Sequence, residues 1–183
     1  MTINRRTALR QLAIFSAGAV LLPSCAGSHS KPDLVLKHFT VTGDQQNLLE
    51  RFVATLIPTT DTPGAGDTGA ALFLYKMVDD CMSASDRKRF FSGMQQFDDA
   101  SRKAGGSGFV KTASSAREAL LIAAGEGKLP GDDLAFFYST ARQLTIQAYT
   151  TSPYFLTRVE VYELVPGRWH GCVPVNKGKS SAT

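Results

Sequence analysis

The sequence predicts an all-α fold: a small helical domain of about five helices over residues 42–149, followed by a long irregular C-terminal arm. Three observations predict it. Apolar residues recur at the helical period in five successive windows. Capping residues, glycine pairs and prolines punctuate those windows. No alternating stretch has a second one beside it to pair with, and residues 159–165 are the one candidate strand.

The first helix opens at Thr42, which stands at capping-box spacing from Gln45. Leu48, Leu49, Phe52, Val53, Leu56 and Ile57 share one face, and Pro58 stops the helix. Residues 59–69 (TTDTPGAGDTG) are a loop dense in turn formers. Asp67 or Thr68 can then cap a second helix, running to residue 82 and burying Leu72, Tyr75 and Val78. A third, residues 85–104, turns Phe90, Met94, Phe97 and Ala100 inward until Gly105-Gly106 ends it.

Ser115 and Glu118 repeat the capping-box spacing and start a fourth helix through Leu120, Leu121 and Ala124. Glycines at 125, 127 and 131 break the chain. Asp132 or Asp133 caps a fifth helix, which runs to Tyr149 and carries Leu134, Phe137, Tyr138, Ala141 and Leu144 on one face. From residue 150 the period disappears. The arm, residues 150–175, sets aromatics among prolines and glycines, and residues 176–183 read as a disordered tail. Tyr149, Tyr154, Phe155, Tyr162 and Trp169 have no helical face of their own, so they cover the domain, a partner, or both.

The N-terminus reads as an export signal over residues 1–26. Arg5, Arg6 and Arg10 form a basic region with no acid nearby, and residues 12–22 (LAIFSAGAVLL) form a short apolar stretch. Eleven apolar residues are too few for a stable membrane span. Residues 4–10 (NRRTALR) resemble the twin-arginine motif, with Asn4 and Ala8 departing from it. That pathway moves folded proteins, often with a cofactor bound, which points to a cofactor here or in a co-exported partner. Residues 22–25 (LPSC) resemble a lipobox that would lipidate Cys25, while residues 24–26 equally suit cleavage after Ala26; both readings stay open. Residues 27–41 read as a polar tether. In the mature chain Cys81 and Cys172 remain, open to a mutual disulfide, to bonds with a partner, or to staying as free thiols.

Composition limits what the chain can be. It has 183 residues, one domain's worth, with 43% hydrophobic and 20% charged residues, as an ordinary globular chain does. The isoelectric point is about 9.1. Removing residues 1–26 takes away three of the 20 basic residues and none of the 16 acidic ones, leaving 17 against 16. Bulk charge therefore gives no support to a nucleic-acid partner.

The catalytic motifs fail one by one. Gly64, Gly66 and Gly69 match G-x-G-x-x-G, but a helix and a Thr/Pro-rich loop precede them where a dinucleotide site needs a strand. No paired-cysteine, H-E-x-x-H or C-x-x-C-H spacing occurs. Of three histidines, two fall in the N-terminal 41 residues, leaving His170 beside Trp169 as the one candidate base. The pairs Asp79-Asp80, Asp98-Asp99 and Asp132-Asp133 diverge by about 100° on a helix and read as solvated faces or a cap. The residues thus assign no catalytic, cofactor-binding or metal site.

An ordered set of segments resembles the gluconate 2-dehydrogenase subunit 3 family. Residues 56–65 (LIPTTDTPGA) are similar to its I-P-x-x-x-x-P-G-A segment. Phe137, Tyr138, Arg142, residues 145–149 and residues 151–154 (TSPY) are similar to its helix and Ser-Pro-Tyr segment. Tyr162, Pro166, Gly167, Trp169 and Cys172 resemble its closing element. The resemblance covers residues 40–175 and implies a non-catalytic small subunit with no cofactor of its own. Its implied partners are a large FAD-containing dehydrogenase of the glucose-methanol-choline type, a multihaem cytochrome c carrying haem c, and the twin-arginine translocase. The implied complex oxidises gluconate, sugars or polyols at the periplasmic face of the inner membrane. The small subunit escorts the large one, held at the membrane through the complex or a lipid anchor. Tyr154, Tyr162, Pro166, Gly167 and Trp169 are then the expected partner interface. Two other classes stay open: a lipid-anchored periplasmic binding or structural protein, and a free-standing oxidoreductase centred on His170.

Overall fold

A computed structural model describes residues 33–160 and Cys172. Among these, two short strands precede five α-helices, so the all-α class holds. Strands β1 (Leu34–Val35) and β2 (Thr40–Val41) pair antiparallel, with Leu34 opposite Val41. The helices are α1 (Gly43–Leu56), α2 (Ala70–Cys81), α3 (Ala84–Gly105), α4 (Ser114–Gly125) and α5 (Asp132–Thr150). A 3₁₀ turn, Phe109–Lys111, joins α3 to α4, and a π turn, Phe155–Val159, follows α5.

Some caps follow the sequence and others do not. Thr42 and Gln45 form the expected capping box on α1. Ser83 caps α3, and Gly106 ends it in the left-handed conformation that glycine adopts without a Cβ penalty. Neither Asp67 nor Thr68 caps α2, whose cap residue is Gly69 at φ 76°. The Ser115–Glu118 box does not form; the cap residue is Ala113, two residues earlier, and Ser114 donates to Glu118. Asp132 and Asp133 lie inside α5, behind Gly131. Acidic residues in a first turn still favour the helix through its dipole, so composition there does not distinguish a cap from an N1 or N2 position.

Helices α3 and α5, the two longest, make the most extensive helix pair. Gly93 permits it. A Cβ there would collide with the carbonyl of Asp133 and come within 2.7 Å of Phe137 Cβ. Against this pair α1 lays Phe52, whose ring meets Phe97 at 5.7 Å and Phe137 at 5.5 Å, both edge-on. Phe109 closes the cluster at 4.9 Å from Phe97. These four rings are fully buried. Tyr75 of α2 donates its hydroxyl to the Gln45 carbonyl at 2.8 Å, and burial pushes its phenol far up, so it stays a donor. Leu72, expected inside, is 47% exposed; Leu74 fills the core instead. α2 begins at residue 70 rather than at a 67 or 68 cap, and its buried face is Ala70, Ala71, Leu74, Tyr75 and Val78.

Two sequence expectations for the edges are corrected. The described part of the 27–41 tether is an ordered hairpin, pinned by Asp79. Its carboxylate accepts the amides of Lys37 at 2.8 Å and His38 at 2.9 Å. The other edge is the arm, which does not start irregular: Ser152 accepts the Phe155 amide and the chain makes the π turn. Val159 ends that turn, and the remainder of the 159–165 candidate strand lies outside the described residues. So do the 1–26 signal, most of the arm and the 176–183 tail.

Candidate interaction surface

Two segments far apart in sequence meet at one end of the domain. Past α1, residues 58–69 fold back so that the Ala65 amide donates to the Ile57 carbonyl at 3.0 Å. Gly64 makes this return tight: a Cβ would lie 2.6 Å from both the Ile57 oxygen and the Thr59 nitrogen. Asp67 staples the loop by accepting the Thr59 hydroxyl and, at 2.9 Å, the Gly64 amide. Those two bonds, the Thr59 one first, hold its carboxyl below the ordinary range.

Tyr149 bridges this loop to the arm. Its hydroxyl donates to the Pro63 carbonyl at 3.1 Å, across 86 residues of chain. Its ring packs edge-on against Phe155 at 5.7 Å. The buried Ser152 donates to the Tyr149 carbonyl at 2.6 Å and accepts the Phe155 amide at 3.2 Å. The loop, the end of α5 and the root of the arm are therefore one unit. Tyr154, half-buried, sits on it. Of the expected interface residues, Tyr162, Pro166, Gly167 and Trp169 lie outside the described residues, as do Arg5, Arg6, Cys25 and His170.

A second surface is an open groove of about 720 Å³ between α1, α3 and the 3₁₀ turn. Leu48, Phe91, Met94 and Val110 give it an apolar lining, with Asp44 and Lys111 among its polar residues. Asp98 sets its far end. That carboxylate accepts the Phe109 amide at 2.7 Å and pairs with Arg102 at 2.6 Å.

Two of the acidic pairs thus have one structural member, which the solvated-face reading missed, and Asp133, expected as a cap, makes a partly exposed ion pair instead. Asp79 holds the hairpin, Asp98 the 3₁₀ turn, and Asp133 faces Arg89 at 3.3 Å. Burial works to raise the Asp79 carboxyl, but the His38 and Lys37 amides and the His38 ring outweigh it and hold it low. Two acceptor oxygens of Asp79 face His38 Nδ1, at 3.0 and 3.1 Å, which places a proton on that nitrogen. The available signal was Asp79's position in the α2 pattern, one residue after the buried Val78.

Cys81 and Cys172 are both free and exposed in the structure. Cys81 is the last residue of α2, beyond its last buried turn at Val78 and Asp79. Among the described residues no three His, Cys, Asp or Glu side chains gather as a metal site. No helix there is long and apolar enough to cross a membrane. The G-x-G-x-x-G glycines follow a helix and a loop, and of the three only Gly69 takes a positive φ.

A family model described as Gluconate 2-dehydrogenase subunit 3 matches residues 43–167, more than half of the chain. No curated protein and no solved structure matches it.

Proposed function

The chain belongs to the gluconate 2-dehydrogenase subunit 3 family, and we propose that within such a dehydrogenase complex it is a non-catalytic escort. On this reading it binds a large FAD-dependent dehydrogenase of the glucose-methanol-choline type, stabilises it, and carries it through the twin-arginine pathway to the periplasmic face of the inner membrane. A multihaem cytochrome c completes the assembly. The observation that carries the reading is the junction at Tyr149. It joins two of the segments that resemble the family, residues 56–65 and 151–154. The groups gathered there shape backbone: Gly64 admits a close return, Asp67 and Ser152 satisfy amides, and Tyr149 locks loop to helix. Such a unit presents a rigid surface, as docking requires.

The test is purification of the tagged full chain from the periplasmic membrane fraction, followed by an absorbance spectrum. Flavin bands from a copurifying large subunit are expected, with none from the isolated chain. Stoichiometric FAD on this chain alone, or dehydrogenase activity in it, would make it an enzyme. A lipidated Cys25 with no flavoprotein attached would make it an anchored binding protein. Replacing Arg5 and Arg6 by Lys should leave both chain and partner in the cytoplasm; a periplasmic partner in that variant would refute the escort.

A further inference from the structure

The groove between α1 and α3 lies where the N-terminal segment enters the domain. Strand β1 runs antiparallel to β2, so the chain traced backwards from Leu34 runs in the same direction as Val41 and Thr42. Thr42, Asp44 and Gln45 line the groove, and Phe39 of the hairpin packs edge-on at 4.8 Å against Phe91, which lines it too. Asp79 fixes this entry point by gripping Lys37 and His38. Thirty-two residues precede the described part, and their one long apolar stretch is residues 12–22.

We propose that in the unprocessed chain this groove holds the apolar stretch of its own leader, residues 12–22. Three features fit that occupant. The ten residues between Leu22 and Asp33 make eleven Cα steps and can reach ~36 Å when extended. Along α3 the lining runs from Phe91 to Arg102, ~16 Å of helix, which is also the length of eleven residues in helical form. The apolar part of the lining, chiefly Phe91 and Val110 with the edges of Leu48 and Met94, offers an apolar or small-residue stretch a strip to cover between polar walls, and burying both removes apolar surface from water. The folded domain then shelters the sticky part of its signal, and the walls exist only once α1, α3 and the 3₁₀ turn are assembled. Sheltering is thereby coupled to folding, as suits a pathway that carries folded cargo. The inference rests on reading residues 1–26 as an export signal, which the Arg5 and Arg6 replacement tests separately.

Crosslinking in the full chain, expressed without translocase, decides it. In a background with Cys25, Cys81 and Cys172 replaced by Ser, Ala17→Cys is combined with Gln95→Cys in the groove, or with Ser139→Cys on α5 as control. Mild oxidation should close the groove pair within one chain at least about tenfold faster than the control pair, through raised effective concentration. Adding Val110→Asp should slow the groove pair to the control rate while the far-UV helical signal is retained. Equal rates for the two pairs, or crosslinks only between chains, would overturn the proposal; the latter would assign the groove to a second copy.

Discussion

The α3–α5 interface and the N-terminal hairpin are held by different physics. Between the helices, Gly93 removes a side chain so that two backbones approach, and four buried phenylalanines fill the space around them. The ion pair between these helices, Arg89 with Asp133 at 3.3 Å, is partly exposed and lies outside the ring cluster. The hairpin has two residues per strand and hangs on one buried carboxylate that accepts two amides and a ring N–H. The first region is fixed by shape and area, the second by a charge. The difference teaches that the core and the segment leading out of it can come apart independently.

The comparison is broken most severely in the aromatic cluster. Phe52→Ala should cost ~3–5 kcal/mol, since it leaves a cavity bordered by Phe97, Phe109 and Phe137. Urea unfolding measures it, and a loss below ~1 kcal/mol would mean the cluster collapses to refill the site. Gly93→Ala should follow at ~2–3 kcal/mol, because α3 and α5 must separate to admit one methyl group. An unchanged midpoint would show that the helices cross further apart than described.

Tyr149→Phe should cost ~1 kcal/mol by deleting the hydroxyl that bonds to Pro63. Its sharper effect is expected on capture of the large subunit, which should weaken while the isolated domain stays folded. Normal capture would move the docking surface away from the 58–69 loop.

Asp79 should give the smallest global effect and the clearest local one. Its folded carboxyl lies below the ordinary value of 3.8, so its contribution is complete above that pH and is lost as pH falls through the folded value. Amide exchange at Lys37 and His38 should therefore accelerate on acidification before the exchange of core amides does. Asp79→Asn should speed the same amides at neutral pH. Core and hairpin amides losing protection together would mean the hairpin is part of the cooperative core.

How much of this was legible follows from the range of each interaction. The five helices, the Thr42–Gln45 box, the Gly106 stop and the inward Phe90, Met94 and Phe97 all depend on neighbours within a few residues. The loop at 59–69 was visible as a loop, but Asp67 was read as a cap when it staples Gly64 and Thr59. Both roles use the same carboxylate on the same kind of donor, and only the path of the backbone separates them.

By itself the sequence determined the helical period, the stops between helices and the ordered segments that place the chain in its family, because these are local or linear patterns. The tertiary structure alone decided that Asp79 and Asp98 became structural while Asp80 and Asp99 did not, that Lys37 and His38 are held, and that residues 56–65 meet residues 151–154 through Tyr149. A hydrogen bond between residues 42 or 86 positions apart leaves no trace in local spacing. It depends on the packing of Phe52, Phe97 and Phe137, which holds the helices together and sets the two partners within reach.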